Sequence, residues 1–290
     1  MYESLEEIIK QENVKGIAFW RLIQLDDCKE RGVTEEQSFE NMKSMYLAMK
    51  DSVRDYDPDI RSHSGLIGGE AAKLRKYINE KKLLSGDFIG EVMEKALMVA
   101  ESNACMKRIV ASPTAGSCGV VPAVLLTVQD RFRLSDEKMT EALYVVAGVG
   151  GVIAIRASLS GAEGGCQAEI GSASAMAAAG MCYLLGGSGE EIANAAALGL
   201  KNFLGLACDP VAGLVEIPCV KRNVCSAVNA VTCAEMTMAG IKSRIPADEV
   251  FDAMRSISRN MSDSIKETAT GGLAVTPTGR KLTEKLKLSH

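Results

Sequence analysis

Apolar residues recur along this chain at three- and four-residue intervals and almost nowhere at intervals of two, which predicts a mainly helical protein. Three Ser/Thr-x-x-Glu/Gln runs mark helix starts. Ser4–Glu7 precedes Ile8 and Ile9, Thr34–Gln37 precedes Phe39, Met42, Met45, Tyr46 and Met49, and Ser188–Glu191 opens a helix over 189–202. The Met-rich face of the second is read as core, because methionine fills irregular apolar space. Further helices are expected over 70–82, 87–103, 120–128, 136–155, 168–185, 224–242 and 247–261. Pro122 falls in a first turn, where its missing N–H costs nothing.

Ala, Gly and Ser fill 168–185 and 189–202, which lets helix backbones approach closely. The stretch 142–155 is 14 uncharged residues with three glycines, too short to span a bilayer and read as a buried helix. Aromatic residues are only 4% of the chain, and alternating β-branched runs are nearly absent, so strands are not expected. The fold expected is mainly α: a single helical domain with central Ala/Gly-rich buried helices, its chemistry carried on loops. Within it, residues 1–55 read as an N-terminal helical segment packed on the main domain, residues 56–290.

Composition narrows the class. The 290 residues are 47% hydrophobic and 24% charged, as in a globular protein. A net charge of −4 with no run of five like charges gives no case for nucleic acid. The N-terminus is acidic and amphipathic, without a basic region followed by an apolar one, so the expected location is cytoplasmic, with no membrane partner.

Nine cysteines in such a chain are expected to be reduced, metal-binding or buried. The absence of C-x-x-C, with His63 and His290 the only histidines, argues against zinc. Cys166, Cys208 and Cys219 stand apart, because glycine or proline surrounds each. Pro210 and Pro218 disfavour a continuous helix through 208–219, so that segment is read as a loop presenting two thiols, with Cys166 arriving from a second loop. Three thiolates without another evident ligand suit a soft metal, above all an iron–sulfur cluster. The alternative is three small buried hydrophobes. Ser112–Gly119 lacks the Gly-Lys-Ser/Thr ending of a P-loop, and Ala147–Val152 lacks the third glycine of a dinucleotide fingerprint. Neither H-E-x-x-H nor G-x-S-x-G occurs.

Four motifs then stand in order: Ser-Pro-Thr-Ala-Gly at 112–116, Ser-Gly-Ala-Glu-Gly-Gly-Cys-Gln-Ala-Glu at 160–169, Cys-Asp-Pro-Val-Ala-Gly at 208–213 and Ile-Pro-Cys-Val-Lys-Arg-Asn at 217–223. With Lys266–Val275, they resemble the iron–sulfur-dependent L-serine dehydratases (L-serine deaminases) from about Ser62 to Val275. The length resembles the α subunit of the two-subunit form. The resemblance implies an oxygen-sensitive [4Fe-4S] cluster on Cys166, Cys208 and Cys219. It also implies L-serine as substrate, pyruvate and ammonia as products, a separate β subunit as partner, and a largely helical fold compatible with a higher oligomer.

On that reading the 112–119 loop, which by itself is a helix cap and turn, would receive the substrate carboxylate. Ser112, Thr114 and Gly116 would supply hydroxyl and backbone N–H donors. Arg222 would pair with the carboxylate or offset the thiolates' charge. Glu163 and Glu169 flank Cys166 as hydrogen-bond partners or as ordinary surface carboxylates. His63 is this chain's candidate base, against a turn or interface role. The family's Ser-His-Thr base motif lies in its other half, so the base is expected from the β subunit. Some single-chain members carry a cysteine soon after Gly-Gly-Leu-Ala. Here Thr276-Pro-Thr-Gly-Arg-Lys follows and the chain ends at His290, expected to be frayed, so the fourth iron position should be open. Cys28, Cys105, Cys118, Cys182, Cys225 and Cys233 are read as packing residues. Two alternatives remain, a cysteine desulfidase-type β-elimination enzyme and a non-catalytic helical partner with structural thiols. A pyridoxal phosphate enzyme would need a Schiff-base lysine and a phosphate loop, and no convincing pair is present.

Overall fold

Every residue from Ser172 to Cys182 is buried, and this stretch forms most of helix α9 (Ser172–Leu184), around which the chain is laid. The computed structural model describes residues 1–288, and the expectation for His290 falls outside them. A helix apolar on every side belongs in a core. Four helices enclose it: α6 (Val120–Phe132), α7 (Asp136–Arg156), α10 (Gly189–Lys201) and α11 (Cys219–Met238). Small residues set the spacing. A Cβ at Gly199 of α10 would stand 3.0 Å from the Ser174 carbonyl oxygen.

Helices α1 (Leu5–Lys15), α2 (Phe19–Arg31) and α3 (Glu35–Arg54) form the N-terminal layer. α2 and α3 lie on α7, and α1 touches α10 and α12 (Ala247–Asn260). One apolar cluster runs from Leu5 to Met254, so residues 1–55 share the main core. α4 (Glu70–Asn79) and α5 (Gly86–Ala104) cover α11 and α6 from the other side, α5 making the direct contacts. The tetrapeptide α8 (Gly161–Gly164) precedes α9, and α13 (Pro277–Leu288) packs on the tight turns at Val211–Gly213 and Gly272–Val275. Among the described residues, β pairing is confined to one parallel bridge between Cys208 and Lys266. The fold is mainly α. The helix α7 is long and apolar enough to cross a bilayer, but 67% of its most apolar window is buried inside the protein, which makes it a core helix.

Several elements depart from the sequence reading. The helix expected over 168–185 is divided: Gln167–Gly171 is a π-helical turn and α9 starts after it. Gln167 is held on both sides, its amide donating to Ser258 Oγ at 3.0 Å and accepting from Gly205 N at 2.8 Å, which anchors the widened turn. Helix α11 opens at Cys219, five residues before the expected start, directly behind Pro218. Cys219 is therefore a first-turn residue rather than part of the loop. Helix α2 starts without a side-chain cap, which is why no signal marks it. Pro277 does mark α13, as a first-turn proline. The Thr34 and Ser188 capping boxes are complete, whereas Ser4 accepts from Glu7 N but Glu7 does not return the bond to it.

Two glycines give opposite expectations. A Cβ at Gly119 would lie 2.6 Å from the Ala96 carbonyl oxygen, so Gly119→Ala should push α5 and α6 apart at a cost of about 1–3 kcal/mol. A Cβ at Gly151 would meet only Met1 Sδ, at 3.6 Å, so Gly151→Ala should stabilise α7 by about 0.5–1 kcal/mol. Urea midpoints moving in opposite directions would bear this out.

Candidate active site

Three separate segments bring Cys166, Cys208 and Cys219 together, each at most 8% exposed. Cys166 lies between α8 and the π turn, behind Gly165 at φ 72°. A Cβ on Gly165 would meet Met261 Sδ at 2.5 Å and the Leu206 carbonyl oxygen at 3.0 Å, so conformation and space both call for glycine. Cys208 is pinned by its backbone, donating to Ile265 O and accepting from Glu267 N, both at 2.8 Å. Those bonds lay the Lys266–Val275 segment beside it. Cys219 starts α11, and its carbonyl accepts from the Asn223 side chain at 2.9 Å.

The thiols act on one another. The Cys166 thiol lies below its ordinary pKa because Cys208 hydrogen-bonds to it and the Arg222 guanidinium lies near, whereas the Cys208 thiol is raised by the same contact, by burial and by Glu169. Burial pushes Cys219 up to about 12. Arg222 donates to Asp209 Oδ1 at 2.9 Å and to the Ala207 carbonyl at 2.7 Å, and the Cys166 thiol is a further partner. These contacts commit the guanidinium to partners within the protein. Asp209 Oδ2 accepts from Leu273 N at 2.8 Å, so this ion pair also holds the Gly-Gly-Leu-Ala segment.

The donor set fits a soft metal group. Among the described residues, no three His, Cys, Asp or Glu side chains converge to hold a single ion. A polynuclear cluster, in which different ligands bond different irons, does not require one meeting point. Gly161 keeps space open here, since a Cβ on it would stand 3.1 Å from Cys208 Sγ.

The 112–119 loop sits beside the thiols. Thr114 Oγ1 donates to Glu169 Oε1 at 2.8 Å, and Glu169 Oε2 lies 3.7 Å from Cys208 Sγ. Burial raises the Glu169 carboxyl. Glu169 thus joins loop to thiol, whereas Glu163 is exposed and accepts from Ser158 at 2.6 Å. Asn223, only 1% exposed, ties the loop to α11: its amide donates to Gly116 O and accepts from Gly119 N, both at 2.8 Å. The sequence reading quoted Asn223 without a role; its place four residues after Cys219, one helical turn, was the available signal. The Thr114, Ser117, Cys118 and Gly119 N–H groups have partners within the protein. No protein acceptor is found among the described residues for those of Ala115 and Gly116.

Comparison with known proteins shows the family of the chain. The family model of the serine dehydratase alpha chain matches residues 4–274. The chain belongs to that family. It is 46% identical to the probable L-serine dehydratase alpha chain of Bacillus subtilis, over 99% of this chain and 95% of that protein. It is 38% identical to the L-serine dehydratase alpha chain of Peptoniphilus asaccharolyticus, over 97% of each. It is also 40% identical to an L-serine dehydratase of Streptomyces coelicolor, over 83% of this chain but 54% of that longer protein. The match takes in the N-terminal helices, which the motif resemblance did not reach.

Within this serine dehydratase alpha-chain fold, His63 is exposed on a cleft of about 550 Å³. Ser64, Asn103, Ala115 and Glu216 line the same cleft, as do Thr283, Leu286 and Lys287 of α13. The Ser64 hydroxyl donates to Glu216, which fastens the His63 turn to the segment between Cys208 and Cys219. Ser112 is buried but lines a different cleft, with Pro113, Met42, Met45, Met49 and Met176, whereas Ala115 of the same loop faces the His63 cleft. Met45 is 53% exposed there, so the Met-rich face of α3 is core only in part. Cys225 departs from the packing role expected of it: it is exposed, because it lies on the face of α11 turned away from buried Asn223, Ser226 and Ala227.

Proposed function

We propose that this chain is the catalytic α subunit of an L-serine dehydratase. It holds a [4Fe-4S] cluster on Cys166, Cys208 and Cys219 and, with a separate β subunit, converts L-serine to pyruvate and ammonia in the cytoplasm. The observation that carries this reading is three buried thiols from separate segments beside a loop with unclaimed backbone donors. When bound, the cluster supplies an iron without a protein ligand, a Lewis acid for the departing hydroxyl.

The chain's own groups do the rest of the work. The Ala115 and Gly116 N–H groups, in the loop leading into α6, receive the substrate carboxylate. Gly116, lacking a side chain, leaves room for the Glu169 carboxylate, whose Oε1 a Cβ there would meet at 3.2 Å. Thr114 has its proton on Glu169 and offers a lone pair to the substrate ammonium. Arg222 offsets thiolate charge. Removal of the Cα proton and loss of water give an aminoacrylate. This tautomerises to an imine, and water hydrolyses the imine to pyruvate and ammonia.

Protein purified without oxygen should contain about four iron and four acid-labile sulfide per chain. Its visible spectrum should change with L-serine. Colourless protein that takes up no iron on anaerobic reconstitution would sink the proposal. Pyruvate formed from L-cysteine but not L-serine would shift it to the desulfidase alternative.

The base belongs to the β subunit on this reading. His63→Ala in the assembled enzyme is accordingly expected to lower kcat less than about tenfold, whereas loss of a true general base costs about 10²–10⁴-fold. A loss in the larger range, with iron content unchanged, would assign the proton transfer to His63.

A further inference from the structure

We infer that Glu169 is a positioning residue that couples the 114–116 loop to the Cys208 thiol, so that the carboxylate seat and a cluster ligand keep one fixed relation. This rests on the function proposed above. Glu169 sits in the π turn that Cys166 precedes, and each of its oxygens faces a different part of the site. Oε1 accepts from Thr114 at 2.8 Å, while Oε2 lies 3.7 Å from Cys208 Sγ.

Two glycines shape the slot that holds it. A Cβ at Gly161 would come within 2.6 Å of Oε2, and one at Gly116 within 3.2 Å of Oε1. Glu169 is half-buried, and its carboxylate is flanked by the two segments it joins. Arg222, a cation that acts on it, is ion-paired with Asp209 instead. Half-burying a carboxylate without its own ion pair costs free energy, which an exposed one such as Glu163 avoids. A positioning role accounts for that cost, because the Thr114 hydroxyl and the Cys208 sulfur both depend on where this side chain lies.

The test compares Glu169→Ala and Glu169→Gln with the parent in the assembled αβ enzyme, prepared without oxygen. Glu169→Ala should keep the parent's iron and sulfide content, because all three cysteines remain. Its half-saturating L-serine, read from the visible spectrum and from KM, should rise about 10–100-fold, the range for one lost hydrogen bond to a charged group. Glu169→Gln keeps an acceptor for Thr114 and a polar group toward Cys208, and should stay within about threefold of the parent, well below a tenfold step. Unchanged serine response in Glu169→Ala overturns the inference. So does loss of iron in parallel with a lower unfolding midpoint, which marks a merely structural role, and so does failure of Glu169→Gln to rescue. A parent enzyme that binds no iron or ignores L-serine overturns the proposed function itself, and is seen before any variant is compared.

Discussion

Replacing Cys166, Cys208 or Cys219 singly by alanine is expected to abolish L-serine turnover and strip most of the iron. Each thiol comes from a different segment, so no neighbouring cysteine can take over its position. Changes to groups that merely orient metal ligands already cost about 10–100-fold in affinity or activity. Direct loss of one ligand in three should exceed that. Cys182 and Cys233 provide the control, being buried but outside the thiol group. Their alanine variants should retain iron and activity and lose stability only on the order of 1 kcal/mol through packing. Iron per chain, absorbance near the visible charge-transfer bands and pyruvate formation separate the two sets. Equal behaviour of all five variants would remove the case for a three-cysteine centre.

Arg222→Ala should have the largest effect on stability. The guanidinium is 17% exposed and its partner Asp209 only 7%, so the substitution strands a buried carboxylate. Breaking such a pair from one side costs about 3–5 kcal/mol, equivalent to a melting shift of roughly 5–8 °C for a chain of this size. The damage should reach the site twice. Cys166 loses a nearby positive charge, and Asp209 becomes free to shift from Leu273 N. Arg222→Lys keeps the charge but lacks the planar fork that serves Asp209 and Ala207 together, so it should recover only part of the stability. Melting of the iron-free protein reads the ion pair without interference from metal loss. Wild-type melting in Arg222→Ala would show that solvent already supports Asp209.

The helices were legible because their signals are local. Capping residues at Thr34 and Ser188, three- and four-residue apolar spacing, and runs of Ala, Gly and Ser mark helix starts and faces without reference to distant parts of the chain. α2 escaped because Ala18 provides no cap, so its start left no chemical trace in the sequence. The broken helix before α9 escaped for another reason. Its π turn depends on Gln167 being held by Ser258 and Gly205, partners far away in the chain.

The site divides in the same way. The amino-acid order by itself set apart three cysteines among nine, because glycine and proline beside a thiol are a local oddity. It also placed Asn223 and Arg222 close after Cys219. Only the tertiary structure decided which partners each side chain has. It directed Arg222 to Asp209 and Ala207, moved Ser112 to a separate cleft, and chose Glu169 over Glu163 as the carboxylate that meets Cys208. A side chain's chemistry and its nearest neighbours are written along the chain. Its burial and its partners depend on segments that meet only when α9 is enclosed by the helices around it.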